Sequence, residues 1–191
     1  MATSIPPNPL KPTQRIVTGH SAEGKAIIIW DDELERIPVG PGVEDAVKTT
    51  VWVEKETPVK NSVERVDRKD IVPDRFNLAQ TGGSHFIIFD VAPGGGSPTH
   101  RLNSLDYGIL LAGEITLLLD DGLERRLTEP GTVVVQRGNI HQWINRGNTW
   151  SRIAFVLIDA VPVQVKNAEG KAVDLPEIFE GGNCDATQAQ K

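Results

Sequence analysis

Two of the four histidines, His100 and His141, lie in stretches that could bring them to one site. Each follows a turn that contains glycine and stands at the mouth of a strand-sized segment, and Asp106 comes shortly after His100. Side chains two residues apart share a face of a strand, so Trp143 lies on the same face as His141. If these faces point inward, two imidazoles and one carboxylate converge in an otherwise apolar interior, which is typical of a ligand pocket.

Two kinds of chemistry suit this trio. Buried imidazoles beside a carboxyl group have shifted pKa values and serve as general acid or base. Two histidines and one carboxylate also form the ligand set of some non-haem iron sites, so a centre held by His100, Asp106 and His141 is the alternative. A third interpretation makes both histidines core residues with satisfied polar atoms. We expect acid–base chemistry without a metal or other cofactor.

Further side chains near the trio are predicted to contact a substrate. Two arginines could hold a phenolate or carboxylate through paired donors, although surface or inter-strand ion pairs are the alternative. Aromatic side chains could stack on a flat substrate, although aromatic residues on strands also serve as core. The predicted substrate-contacting residues are Arg101, Leu102, Tyr107, Gln136, Arg137, Trp143 and Trp52. His20 and His85 fall outside the pattern and are predicted to be solvated or core residues.

Short strands must position these residues. Strand-like runs about ten residues apart, separated by turns, predict an all-β sandwich or barrel. Asp121-Gly122 marks a hairpin. The segment 61–80 is predicted to be a loop or a short helix that covers one opening, and 175–179 a single helical turn. The strand-like runs are 15–18, 25–30, 49–53, 85–91, 107–112, 115–119, 132–136, 142–144 and 153–158.

Composition excludes several function classes. A chain of 191 residues that is 39% hydrophobic suits one domain. We expect a proline-rich extended arm over 1–14, one domain over 15–163 and a loose tail over 164–191. The net charge of −6 argues against a nucleic-acid partner, and no apolar run is long enough to span a membrane. The single Cys184 cannot form an internal disulfide, and we expect a cytoplasmic protein.

The two histidine stretches resemble the paired motifs of the cupin superfamily. The matching positions are Gly94, His100, Asp106 and Gly113 in the first motif, and Gly138, His141 and Asn145 in the second. Three positions depart from the family pattern. Leu102 stands where a second histidine is usual, Asp106 replaces a glutamate and shortens its reach by about 1.5 Å, and Gln136 replaces a proline. Because cupins typically hold a metal with three histidines and a glutamate, these departures favour a site without metal.

The wider sequence is similar to small single-domain cupins of fungal and bacterial natural-product pathways. These include dehydratases, cyclases and the hetero-Diels–Alderases of tropolone–sesquiterpenoid biosynthesis. The resemblance implies a cupin double-stranded β-helix (a jelly-roll barrel) with an N-terminal extension, and a homodimer. It implies a metal-independent dehydratase or pericyclase that acts on a polyketide- or tropolone-derived small molecule. A dioxygenase or decarboxylase that uses iron or manganese, and a non-catalytic cupin that binds a small molecule, are the alternatives.

Overall fold

The computed structural model describes residues 5–39 and 44–180, and within them all regular structure is β-strand. The single Cys184 and the end of the predicted tail lie outside the described residues. In chain order the strands are β1 (Thr13–His20), β2 (Ala26–Leu34), β3 (Ile37–Pro38), β4 (Ala46–Glu54), β5 (Ser84–Val91), β6 (Thr99–Arg101), β7 (Ser104–Ala112), β8 (Ile115–Leu119), β9 (Glu124–Leu127), β10 (Val133–Arg137), β11 (His141–Ile144), β12 (Ser151–Asp159), β13 (Gln164–Lys166), β14 (Ala172–Asp174) and β15 (Ile178–Glu180).

Two antiparallel sheets contain the strands that form the core. The larger sheet has the order β10-β7-β12-β5-β4-β3, and the smaller has the order β15-β6-β11-β8-β9. From β5 to β12 the chain passes back and forth between the sheets, because β6, β8, β9 and β11 belong to the smaller one and β5, β7, β10 and β12 to the larger. This winding is that of a double-stranded β-helix. It confirms the predicted fold class, although the two sheets remain separate and do not close into one barrel.

Period-two alternation decides which side chains enter the space between the sheets. On β7, Asp106 and Leu110 are buried, whereas Tyr107 and Leu111 are exposed. Gly108 lies on the inward face, where a Cβ atom would come within 2.8 Å of a ring carbon of Phe155. The absence of a side chain at this position therefore lets the Phe155 ring pack into the interior. The core cluster is Ala46, Ala79, Ile87, Phe89, Val91, Leu102, Leu110, Ile115, Leu127, Trp143, Ile153, Phe155 and Leu157.

The N-terminal segment lies along the outside of this core. From Ile5 to Pro12 it has no regular structure and is held by polar contacts. The Trp150 indole N–H donates to the Pro6 carbonyl at 3.0 Å, and Asn8 donates to Asp90 at 3.0 Å. Strands β1 and β2 then form a separate two-stranded sheet.

The structure decides two local predictions, of which one is wrong and the other has its loop alternative confirmed. The single helical turn predicted over 175–179 is wrong, because Ile178–Glu180 forms β15 and pairs with β6 at the edge of the smaller sheet. Between 61 and 80 the chain is a loop without a helix. Within the described ranges, no helix is long and apolar enough to cross a membrane.

Candidate active site

A cavity lies between the two sheets and opens at one end. The space between its atoms is about 660 Å³ including the open mouth, and the centre of a water molecule can move through about 70 Å³ of it. A single water needs only about 10–15 Å³ of such space, so the interior can admit a ring-sized ligand. The lining residues are Val39, Lys48, Phe76, Leu78, Ile87, Phe89, Ser97, Pro98, His100, Asp106, Gln136, His141, Trp143, Phe155, Leu157 and Phe179.

His100 and His141 form a pair on the smaller sheet. They are direct cross-strand partners on β6 and β11, and their ring centroids are 4.3 Å apart. The Nδ1 atom of His100 lies 2.9 Å from the Pro98 carbonyl oxygen, and that of His141 lies 3.1 Å from the Asn139 carbonyl oxygen. Because a carbonyl oxygen can only accept, Nδ1 carries the hydrogen in both rings. Each Nε2 therefore holds a lone pair, so both histidines are available as proton acceptors.

Burial keeps this histidine pair neutral. It lowers the pKa of His100, and it lowers the pKa of His141 to about 3, with a further contribution from the nearby His100 ring. The hydrogen bonds to the two carbonyls oppose this change without cancelling it. Desolvation disfavours the charged imidazolium, so at neutral pH both rings are free bases.

Asp106 enters the cavity from the larger sheet. The residue is 7% exposed, and burial raises the pKa of its carboxyl group to about 6, with the Ser104 hydroxyl acting in the opposite direction. Within residues 5–39 and 44–180, the Oδ1 atom finds no hydrogen-bond partner. A carboxyl group with a pKa near neutrality can both hold and release a proton under physiological conditions. The cavity therefore combines neutral bases on one wall with a weak acid on the other.

Gln136 and Trp143 add neutral polar groups to the same cavity. Gln136 on β10 is the direct cross-strand partner of Asp106, and Trp143 lies two residues after His141 on β11. Among the residues that the structure describes, neither end of the Gln136 amide nor the Trp143 indole N–H has a hydrogen-bond partner. Buried polar groups in folded proteins are normally paired, so such a concentration marks a place where a ligand can bind.

The lining residues that the sequence analysis missed include Lys48, Phe76 and Phe179. Lys48 lies on the inward face of β4 and donates to the Asn77 carbonyl at 2.7 Å. The Phe76 and Phe179 rings stack at the cavity wall with centroids 5.2 Å apart. Lys48 lies just before the predicted strand-like run 49–53, and Phe179 lies in the segment 175–179 that was predicted to be a helical turn. The alternation that buries Ala46 and Lys48 on β4 was the signal that could have found the lysine.

The structure does not bring five of the predicted substrate-contacting residues to the cavity. Tyr107 and Arg137 point outward because their neighbours Asp106 and Gln136 point inward. Trp52 packs against a tryptophan of β2 and lines a separate groove. The remaining two are buried elsewhere: Leu102 belongs to the core cluster, and Arg101 donates to the Pro176 carbonyl at 2.8 Å.

The two remaining histidines lie away from the pair. His20 at the end of β1 is exposed. His85 is fully buried, with Nδ1 2.7 Å from the Leu78 carbonyl oxygen and Nε2 3.2 Å from the Thr50 hydroxyl. Burial lowers the pKa of His85 to about 4. His85 therefore acts as a satisfied core residue that ties the loop before β5 to the larger sheet.

The donor set does not fit a three-ligand metal centre. Over the part of the chain that the structure describes, no group of three His, Cys, Asp or Glu side chains could hold a metal ion. Catalytic metal sites typically use three protein ligands, and here only the two imidazoles are adjacent. Leu102 offers an alkyl chain that packs in the core.

A double-stranded β-helix with inward histidines on the smaller sheet is the architecture of a cupin-like protein. No family model matches the sequence. The sequence is 38% identical to the cupin-domain-containing oxidoreductase virC of Hypocrea virens, over 87% of this chain and 86% of that protein. It is 35% identical to the phomopsin biosynthesis cluster protein C' of Diaporthe leptostromiformis, over 82% and 83%. The chain belongs to the cupin family, and its relatives include cupin-domain proteins of fungal natural-product clusters.

Other known proteins show the same likeness. The sequence is 34% identical to the cupin-domain-containing oxidoreductase fogC of Aspergillus ruber, over 87% of this chain and 83% of that protein. Among solved structures, the chain is similar to the polyketide cyclase RemF of Streptomyces resistomycificus, with 16% identity and a TM-score of 0.47 over 80% of this chain and 83% of that one.

Proposed function

We propose that this protein is a natural-product biosynthetic enzyme that dehydrates or cyclises a small conjugated substrate by metal-independent acid–base catalysis. The observation that carries the proposal is the pairing of two neutral imidazoles on one wall with a protonatable Asp106 on the other. Groups whose pKa values are pushed apart by their surroundings are typical of acid and base roles in one site.

In the dehydration, His141 or His100 removes a proton from carbon next to an electron-withdrawing group through its Nε2 lone pair. The C–H electron pair forms the new double bond, the C–O bond breaks, and the Asp106 carboxyl donates its proton to the departing hydroxyl, which leaves as water. The proton held by the imidazole then returns to the Asp106 carboxylate, directly or through solvent, and resets the site. General acid–base assistance of this kind contributes about 10²–10⁴-fold to a rate.

The apolar walls suit a cyclisation that follows the dehydration. Phe155 and Leu157 on the larger sheet face the ring of Trp143 on the smaller one, so a conjugated product would be held among rigid side chains. Holding a diene and its partner close supplies much of what a pericyclic reaction such as a hetero-Diels–Alder addition requires. The name of one relative, a phomopsin biosynthesis cluster protein, supports a role in natural-product biosynthesis.

A second candidate is an oxidoreductase, because several relatives carry that word in their names. Under this alternative the histidine pair would help to bind iron or manganese, and turnover would consume an oxidant such as dioxygen. A dehydration changes no oxidation state overall, so the two candidates differ in their need for oxygen and metal.

The test starts from the metabolite that accumulates when the gene is deleted in its host. We expect an intermediate that is heavier than the product by one water, or isomeric with it, and we expect the purified protein to convert it in the presence of EDTA and without oxygen. His141→Gln should lower kcat by about 10²-fold or more, whereas Tyr107→Phe, on the outward face of β7, should leave it unchanged.

Two results would favour other functions. Turnover that is lost with EDTA, recovers with Fe(II) or Mn(II) and consumes dioxygen would establish the oxidoreductase alternative. Tight binding of the intermediate without any turnover would make the protein a binding module.

A further inference from the structure

The polar atoms that lack partners are concentrated in one place. Seven buried side-chain nitrogen or oxygen atoms have no hydrogen-bond partner among the described residues, and four of them belong to Asp106, Gln136 and Trp143. These three side chains are 7%, 3% and 2% exposed, and all three line the cavity between the sheets. Because unpaired polar atoms are costly inside a protein, their arrangement describes what an occupant must offer.

Gln136 is the most informative of these residues. Both its Nε2 donor and its Oε1 acceptor are without partners. Asp106 is its direct cross-strand neighbour, a pairing that brings side chains within reach of each other, yet no hydrogen bond joins the two. Both ends of the amide are therefore left for a third group in the cavity.

A primary amide presents a donor and an acceptor attached to the same carbon. Its complement is a group with an acceptor and a donor in the same relation, which pairs through two parallel hydrogen bonds. A cis amide, as in a lactam, has this edge. A carboxylate offers two acceptors, so it would leave the Gln136 carbonyl unpaired and bring negative charge beside the Asp106 carboxyl. An apolar ring would leave both ends unpaired.

We propose that Gln136 recognises a cis-amide edge on the substrate, such as that of a lactam, and thereby orients the reacting carbon between Asp106 and the histidine pair. The inference rests on the proposed use of this cavity as the substrate site. The Trp143 indole N–H supplies a further donor for the substrate carbonyl oxygen, which can accept two hydrogen bonds.

The experiment uses small probes and needs no turnover. Ligand-observed NMR titrations of the full-length protein compare 2-pyridone, which has the cis-amide edge, with N-methyl-2-pyridone, which has lost the donor, and with benzoate. We expect 2-pyridone to bind at least about tenfold more tightly than either. Gln136→Met should weaken 2-pyridone by about tenfold or more and weaken N-methyl-2-pyridone, which keeps only the carbonyl acceptor, by a smaller factor. Arg137→Met, the next residue on β10 but exposed, is the matched control and should change neither.

Equal binding of the two pyridones, preferential binding of benzoate, or no binding of 2-pyridone to the wild-type protein would overturn the inference. The comparison of probes on the wild-type protein stands even if Gln136→Met does not fold. Turnover is measured separately, so the two proposals fail separately. Lost turnover in His141→Gln together with equal binding of the pyridones would remove only the cis-amide assignment. Gln136-dependent binding without turnover would remove only the catalytic function.

Discussion

Replacing Asp106 with asparagine should stabilise the folded protein and stop the proposed reaction. Burial between the sheets raises the pKa of Asp106 from 3.8 to about 6, so the folded state disfavours the carboxylate. Asparagine has nearly the same shape and carries no charge. The substitution therefore removes a cost that the wild-type protein bears at neutral pH, and it also removes the proton that the dehydration needs.

The sign and size of the effect follow from the two pKa values. Between about pH 4 and pH 6 the folded state holds a proton that the unfolded state has released. The contribution of the Asp106 carboxyl group to the free energy of unfolding is therefore fully present below the pKa of the unfolded state, and it is lost as pH rises through the pKa of the folded state. A shift of about two units corresponds to about 3 kcal/mol. We expect Asp106→Asn to be more stable than wild type by up to about 3 kcal/mol at pH 7.5, and the gain to disappear below pH 4.

The buried histidines change stability in the opposite direction. Burial lowers the pKa of His85 to about 4, that of His141 to about 3, and that of His100 as well. Below the unfolded histidine pKa the unfolded state takes up protons first, so these groups make stability rise with pH in the same window. The wild-type curve alone is therefore not diagnostic. The difference between wild type and Asp106→Asn isolates the carboxyl group.

The assay is urea unfolding between pH 4 and pH 8, followed by the fluorescence of the four tryptophans. Asp120→Asn makes the same chemical change at an exposed turn, and its difference from wild type should stay within about 0.5 kcal/mol throughout. If Asp106→Asn were less stable than wild type at pH 7.5, or if its advantage did not vary with pH, Asp106 would be ionised and compensated in the folded state. The general-acid role would then fail.

If that role is correct, kcat/KM should fall as pH rises above about 6, because the protonated acid is depleted.

Three further substitutions test how the cavity is built. Gly108→Ala places a methyl group 2.8 Å from the Phe155 ring, and we expect a loss of about 1–3 kcal/mol in thermal unfolding; no loss would mean that the ring has room to move. Lys48→Met removes the bond to the Asn77 carbonyl and should speed amide hydrogen exchange over residues 76–79, and unchanged exchange would show that the lysine does not anchor this loop. Asp90→Ala removes the two hydrogen bonds, at 2.6 and 2.7 Å, that the Arg152 guanidinium donates to the Asp90 carboxylate. We expect the free energy of unfolding in urea to fall by about 3 kcal/mol, and a fall of less than about 1 kcal/mol would contradict the importance of this pair.

Motif spacing and alternation predicted much of the polar interior. The period of two predicted that His141 and Trp143 share a face of β11, and the glycine before His141 marked the start of this strand. Gly138 has a φ of 65°, in the left-handed region that glycine adopts without strain, and so forms the turn that leads into β11. These features are local, and local patterns are readable from a sequence.

Contacts between distant segments were not readable in this way. Phe179 reaches the cavity because β15 pairs with β6, and Phe76 reaches it because a loop folds back over the opening with a φ of 51° at Phe76 itself. Nothing in the residues around 175–179 distinguishes a strand that adds to a sheet edge from a helical turn, because the decision lies in the unpaired edge of β6. The proximity of Arg101 to His100 in sequence was likewise misleading, since adjacent residues of a strand face opposite ways.

The departures from the cupin pattern become consistent when they are taken together. A hydrogen bond from Nδ1 to a backbone carbonyl leaves Nε2 as a lone-pair donor, and this arrangement serves a metal ligand and a general base equally well. The two uses differ in which side chains surround the imidazoles. Leu102 packs in the core at the position where another histidine ligand is usual. Asp106 lies on the opposite wall of the cavity, where burial raises the pKa of its carboxyl group to about 6 and keeps a proton available. Two neutral imidazoles that face a protonated carboxyl group suit an elimination. A metal ion would instead need that carboxyl group ionised and close enough to coordinate. Under the proposed function, Leu102 and Asp106 therefore favour proton transfer with the histidine pair over metal chemistry.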